Sequence, residues 1–143
     1  MQIRLASELD TDVLVSLFDD YRQSMGFQSE PKKCLQFIKT RLGENDSMIL
    51  MAWEQQKCLG FVQLYPSYSS LLLKPVWYFD DVFVDASRRG EGIAAQLIEK
   101  AKVLAAGTEV MLVKRTKVLD NELEGSLSNM TETEGMYLYH SGL

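Results

Sequence analysis

Between Asp80 and Ala95 the chain reads Asp80-Asp81-Val82-Phe83-Val84-Asp85-Ala86-Ser87-Arg88-Arg89-Gly90-Glu91-Gly92-Ile93-Ala94-Ala95, a set of residue types able to hold phosphate. An apolar run leads into a basic, glycine-rich turn, and the turn opens an amphipathic helix. Backbone N–H groups at a helix start carry partial positive charge and bind anions without any one side chain being essential. Gly90, Gly92, Ala94 and Ala95 are small enough to let phosphate oxygens reach the main chain. Arg88 and Arg89 can contact outer oxygens, each contact contributing ~1–3 kcal/mol as a charge-assisted bond. The ligand expected here carries a diphosphate. A dinucleotide loop fits poorly, because this turn follows a late strand and lacks the third glycine of G-x-G-x-x-G. A Walker loop needs Gly-Lys-Ser/Thr, which the chain does not contain. An ordinary glycine-rich helix start remains open on residue types alone.

The elements that position this turn can be read from periodicity. Gln2–Ala6 alternates as a first strand, and Asp10 or Thr11 can cap the helix after it. Val13, Leu14, Leu17, Phe18 and Tyr21 form one apolar face, and Met25-Gly26-Phe27 ends the helix. Pro31 suits the first turn of a second helix carrying Leu35, Phe37, Ile38 and Leu42. Met48–Trp53 and Leu59–Tyr65 read as a hairpin across the polar segment 54–57. Pro66–Lys74 reads as a serine-rich loop or irregular strand edge, and Val76–Val84 as the next strand. Gly90–Ala106 is a helix stopped by Gly107, and Glu109–Val113 a further strand. The expected class is a mixed α/β layer fold, one domain over residues 1–143, with an atypical tail over 119–143. In that tail Leu119–Leu127 is a weak helix signal and Met136–Tyr139 a short strand.

Composition narrows the function classes. The chain has 143 residues, 46% of them hydrophobic, enough for one core. No apolar run approaches the ~20 residues of a membrane span, and the N-terminus lacks a signal-peptide core, so a cytoplasmic protein without membrane partners is expected. A net charge of −5 argues against nucleic acid as a partner. Asp120, Glu122, Glu124, Glu132 and Glu134 account for the whole acidic excess, since residues 118–143 contain no Lys or Arg. Cys34, Cys58 and the single His140 have no metal-ligand spacing, so no metal and two reduced thiols are expected.

Arg89-Gly90-Glu91-Gly92-Ile93-Ala94 fits the R-x-x-G-x-A signature of the GNAT superfamily of acetyl-CoA-dependent N-acetyltransferases. The order of elements over residues 1–117 resembles that family from its first strand to its fifth. The run Gln63-Leu64-Tyr65-Pro66-Ser67-Tyr68-Ser69-Ser70, with Trp77 and Asp80-Asp81, resembles a bacterial subgroup of small amine acetyltransferases. The resemblance implies a central, mostly antiparallel sheet flanked by helices, with a cofactor cleft between two splayed strands. It implies that backbone groups from Arg88 and Arg89 through Gly90, Glu91, Gly92 and Ile93 to Ala94 and Ala95 hold the pyrophosphate of acetyl-CoA. The main chain of Phe83 and Val84 would pair with the pantetheine arm. Asn121 matches an asparagine that contacts pantetheine, and a simple helix cap is the other reading of it.

The implied reaction is direct attack of an amine on the thioester, without an acyl-enzyme. The acceptor expected is a small cationic primary amine, such as a polyamine, an amino acid derivative or an aminoglycoside-like amine, with a protein N-terminus or lysine as the other reading. In resembling diamine acetyltransferases, acids at the position of Asp80 and Asp81 bind the amine or relay its proton. Adjacent strand residues point to opposite faces, so only one acid enters a given pocket, and Asp80 is preferred over Asp81. Both could equally be solvated or hydrogen-bonded strand acids. Phe27, Tyr65, Tyr68 and Trp77 could wall the acceptor pocket, since aromatic faces favour ammonium, and for Trp77 core packing is the stronger reading. No histidine lies near Ser69 or Ser70, which excludes a hydrolase triad there.

The tail departs from the family pattern. A tyrosine a few residues after Asn121, followed by a glycine–aromatic pair, is missing, and the chain reads Glu124-Gly125-Ser126-Leu127-Ser128-Asn129-Met130 instead. Natural divergence and a reading-frame slip both produce such a change. The alternative function it raises is a catalytically impaired acyl-CoA-binding or sensing module. A shortened set of terminal strands exposes a sheet edge, so a homodimer is one expected assembly.

Overall fold

The computed structural model describes residues 1–116, 130–133 and 136–140, with the side chains of residues 1–79 and 81–113. Seven strands form one sheet: β1 Gln2–Leu5, β2 Met48–Glu54, β3 Lys57–Ser69, β4 Lys74–Val84, β5 Met111–Thr116, β6 Met130–Thr133 and β7 Met136–His140. Their spatial order is β1-β2-β3-β4-β5-β7-β6. β1 to β4 run antiparallel to one another, as do β6 and β7, while β4–β5 and β5–β7 are parallel. Helices α1 Thr11–Ser24 and α2 Pro31–Glu44 cover one face, and α3 Ile93–Gly107 covers the other. This is the α+β arrangement expected from the sequence.

Each face has its own core. Leu50, Leu59, Val62, Leu64, Phe79 and Val84 pack with Ile93, Leu97, Ala101 and Ala105 of α3. On the opposite face Met51, Phe61 and Phe83 pack with Leu14, Leu17 and Phe18 of α1 and with Cys34 and Ile38 of α2. Residues on alternate sides of one strand therefore serve different helices.

One open reading is resolved and three local expectations are corrected. Of the two readings of Pro66–Lys74, loop or irregular strand edge, the strand holds for Pro66–Ser69, because Pro66, Ser67, Tyr68 and Ser69 pair with Trp77, Val76, Pro75 and Lys74. Cross-strand pairing overrides the weak strand preference of proline and serine there. Glu109 is not in a strand: it takes φ +58°, and β5 starts at Met111. Asp10 does not cap α1 with its side chain; its carboxylate turns back to the Ser7 N–H at 2.8 Å and to Arg4. The helix read as starting at Gly90 begins at Ile93, with Gly92 as its N-cap.

Two irregularities of β4 position the site. Its pairing with β5 covers Val76–Met111, Trp77–Leu112 and Tyr78–Val113 only, whereas β4 runs on to Val84 and β5 to Thr116. The two strands thus part company beyond Tyr78, as the splayed cleft of the expected fold requires. The second is a bulge: Gln63 faces Asp81 but Tyr65 faces Tyr78, so Phe79 and Asp80 together oppose Leu64. The extra residue reverses the parity of the strand. Trp77 and Phe79 face α3, and so do Val82 and Val84, while Phe83 faces α1 and α2.

Candidate active site

The turn after β4 is built to leave backbone exposed. Asp85 accepts from the Ser87 N–H and Oγ, both at 2.9 Å, which fixes a single 3₁₀ turn at Ala86–Arg88. Gly90 and Gly92 then take φ +83° and +81°, the left-handed region that favours glycine. A Cβ at either position would meet nothing within 4 Å, so the turn borders open space. No side chain caps the start of α3, which leaves its first N–H groups to an external acceptor. A cavity of about 240 Å³ lies against this turn, lined by Val82, Val84, Arg88, Arg89, Gly90, Gly92, Ile93 and Ala94. Shape, bare amides and helix polarity together fit a diphosphate.

Both arginines are engaged in the protein. Arg88 donates to Glu54 at 2.9 and 3.1 Å and to Glu91 at 2.9 and 3.1 Å. These two carboxylates raise its pKa above the ordinary arginine value. Arg88 thereby ties the turn to the end of β2. Arg89 donates through Nε to the Val84 carbonyl at 3.1 Å, and its guanidinium stands 5.4 Å over the Phe83 ring. Its contacts hold the turn against the last residues of β4.

A second cavity, about 340 Å³, opens on the α1–α2 side of the same strand and is lined by Phe18, Tyr21, Arg22, Glu30, Lys33, Cys34, Phe37, Tyr65 and Asp81. Asp81 enters it because the bulge puts it on this side, paired with Gln63 on β3. Tyr21 donates its hydroxyl to Asp81 Oδ1 at 2.8 Å. The Tyr21 ring is held edge-on to Phe61 at 5.7 Å and tilted against Phe83 at 5.8 Å, and Phe61 stacks on Phe18 at 4.4 Å. Burial, then the neighbouring Asp81 charge, pushes the Tyr65 phenol well above its ordinary range. Tyr65 therefore stays protonated across neutral pH.

The outer wall of this cavity is an ionic network. Glu30 takes Arg22 at 2.9 Å and Lys33 at 3.0 Å, and these two cations hold its carboxyl below the usual value. Asp19 fixes the chain beneath them, accepting from Ser29 Oγ at 2.5 Å, the Glu30 N–H at 2.7 Å and Gln23 at 3.1 Å.

The sequence-derived candidates separate on this frame. Asp81 and Tyr65 meet in the α1–α2 cavity. Asp80 belongs to β4, and its side chain lies outside the described residues. Phe27 is exposed and stacks under Arg22 at 5.0 Å, beside the cavity wall. Tyr68 is 82% exposed on the far end of the β3–β4 hairpin, away from Asp81. Trp77 packs against the α3 core, which is the packing role weighed against a pocket role. Val84 lines the glycine-turn cavity, and Phe83 lies on the opposite face. Asn121 lies outside the described residues. Sequence reasoning placed Tyr21 on a core face and missed it as a site residue. The available signal was a polar tip at the end of an apolar helical stripe, since a buried tyrosine hydroxyl finds a partner.

Among the described residues no three His, Cys, Asp or Glu side chains are placed to share a metal, and no helix is long and apolar enough to cross a membrane. Cys34 and Cys58 are buried free thiols. Burial raises both, Cys58 to about 11.

Comparison with known proteins bears on the family and the fold. The chain is 35% identical over 139 residues to a probable acetyltransferase of Haemophilus influenzae, covering 96% of this chain and 91% of that one. It is 35% identical over 102 residues to the Uncharacterized N-acetyltransferase YhfO of Bacillus subtilis, covering 71% and 68%. The crystal structure of a probable acetyltransferase superposes with a TM-score of 0.79 at 35% identity, over 88% of this chain and 85% of that one. The model of the Acetyltransferase (GNAT) family matches residues 13–122, and the chain belongs to that family of acetyltransferases.

Proposed function

We propose that the protein transfers the acetyl group of acetyl-CoA to the amine of a small, ammonium-bearing acceptor by direct attack within a ternary complex. The observation that carries this reading is that consecutive residues of β4 line two cavities of different chemistry. Val82 and Val84 border the glycine turn, and Asp81 borders the cavity with Tyr21 and Tyr65. One cavity suits a diphosphate and the other an amine, and a single strand separates them.

When bound, acetyl-CoA supplies an activated thioester. The backbone amides from Gly90 to Ala95 and the start of α3 would hold its diphosphate, and the edge of β4 freed from β5 beyond Tyr78 would accept its arm. On the acceptor side Asp81 attracts the ammonium group and takes up its proton, directly or through water, since only the neutral amine attacks. Tyr21 fixes the orientation of that carboxylate through its 2.8 Å bond. Tyr65 keeps its hydroxyl proton and serves as a donor beside Asp81. The raised thiols of Cys34 and Cys58 are poor nucleophiles at neutral pH, which favours direct transfer over an acyl-cysteine.

The test is coenzyme A release from acetyl-CoA across a panel of small primary amines, with calorimetry of coenzyme A binding alongside. Saturable, amine-dependent thiol release is expected. Coenzyme A binding without turnover on any amine would reject transfer and leave a binding module; no coenzyme A binding would reject the cofactor assignment.

A further inference from the structure

We infer that the acceptor carries an anionic carboxylate as well as its ammonium group, so that the acceptor class is an amino acid or a related aminocarboxylate rather than a diamine. This rests on the acetyltransfer reading above and names the substrate class for the same cavity. The basis is the distribution of charge around the 340 Å³ cavity. Asp81 is the acidic group on the β4 side of the lining. The charged lining groups on the helix side are Arg22 of α1, Lys33 of α2 and Glu30 at the α2 N-cap, two cations around one carboxylate. Their sum is one net positive charge on the helix side of the lining, against the negative charge of Asp81 on β4.

A diamine entering with one ammonium group at Asp81 would bring its second toward Arg22 and Lys33. Like charges brought together in a partly desolvated cavity disfavour binding. An aminocarboxylate meets the opposite sign at each end. Arg22 already donates to Glu30 at 2.9 Å and to the Gln28 carbonyl at 3.4 Å, so it offers the carboxylate a fixed positive charge rather than a free fork. Lys33 is accessible to the ligand, because its side chain is 78% exposed, and it pairs with Glu30 at i,i+3 spacing and 3.0 Å. The apolar walls, Phe18 and Phe37, suit a short methylene chain between the charged ends. Arg22 and Tyr21 are consecutive on α1, so one helix turn fixes both ends of the acceptor relative to each other.

The test uses the full chain and three matched probes of one length: butylamine, 1,4-diaminobutane and 4-aminobutanoate, with glycine and 6-aminohexanoate bracketing the length. Thiol release should give a kcat/KM for the best aminocarboxylate at least about fivefold above the diamine, the upper range for a partly exposed charge pair. Lys33→Glu, at a mostly exposed position that the fold tolerates, should reverse the order by raising KM for the aminocarboxylates and lowering it for the diamine. A preference for the diamine in the wild-type chain, or an order unmoved by Lys33→Glu, would overturn the inference while leaving acetyl transfer standing. Turnover of none of the probes would strike at acetyl transfer itself. Calorimetry on the coenzyme A-saturated chain then decides the cavity's preference separately, with tighter binding of the aminocarboxylate supporting it and equal or tighter binding of the diamine rejecting it.

Discussion

Tyr21 and Asp81, sixty residues apart in sequence, meet through a 2.8 Å hydrogen bond from the phenol to Oδ1. The bond joins α1 to β4 at the edge of the 340 Å³ cavity. A hydrogen bond to a charged group contributes ~1.5–3 kcal/mol when its partners are held in place, and the contacts of the Tyr21 ring with Phe61 and Phe83 hold this one. Tyr21→Phe should lower kcat/KM for the amine by about tenfold. Asp81→Asn should cost more, about a hundredfold, because it removes the group proposed to accept the proton. Steady-state kinetics at varied amine and fixed acetyl-CoA check both, and wild-type values for Asp81→Asn would remove this residue from the site.

The glycine turn gives a prediction on the cofactor side. Gly92 sits at φ +81° where a side chain is strained, although space for a Cβ exists. Gly92→Val should therefore act through backbone conformation, moving the first amides of α3 off their aim. Coenzyme A affinity is expected to fall about tenfold or more, with a stability loss of ~1–2 kcal/mol for the left-handed β-branched residue. Calorimetry on the variant decides it, and unchanged affinity would place the diphosphate elsewhere.

Gly60 is required for a different reason. A Cβ there would lie 2.4 Å from the Phe83 carbonyl oxygen and 3.1 Å from the Val84 Cα. These are backbone atoms of β4 and cannot rotate away, so the strands themselves must separate. Gly60→Ala should destabilise the fold by ~2–4 kcal/mol, a cost of overpacking without relief. Urea unfolding measures the loss. Because Phe83 and Val84 adjoin the site, acetyl transfer should fall as well.

A pH dependence follows from Asp10. Arg4 donates two bonds of 2.8 Å to its carboxylate and the Ser7 amide a third, and the Arg4 bonds lead in holding its pKa below the ordinary aspartate value. The folded value lies below the unfolded one, so the unfolded chain binds the proton more readily. This stabilisation is fully present above the unfolded pKa of ~4 and is lost as pH falls through the folded value. Arg4 is 38% exposed, and screening by water limits the contribution to ~1 kcal/mol. Asp10→Asn should lower the unfolding free energy at pH 7, and the gap to wild type should close in acid. A gap that stays constant from pH 7 to pH 3 would contradict the ion pair's role.

Much of this was legible in the residues. Arg89-Gly90-Glu91-Gly92-Ile93-Ala94 is local chemistry: glycine conformation, small side chains and a helix start depend on neighbours in sequence. The helices and most strands were legible for the same reason, since their apolar periods are local. The Pro66–Ser69 extension was not, because its strand state comes from pairing with Pro75, Val76 and Trp77. The aromatic wall was not either. Tyr65 and Tyr68 are alike in sequence, yet one lines the cavity and one is solvent-exposed, whereas Trp77 packs under α3 as its stronger reading had it.

The sequence by itself determined that a bare-backbone turn follows a buried strand and opens a helix, because those features need only short-range sterics and hydrogen bonding. Which side of β4 each residue faces was decided by the tertiary structure. Strand alternation has a period of two, so the one extra residue at Phe79–Asp80 moves Asp81 and every residue after it to the other face. That bulge exists only in the register between β3 and β4. It is the pairing of Gln63 with Asp81 that carries the acid to Tyr21 and turns Val82 and Val84 toward the glycine turn.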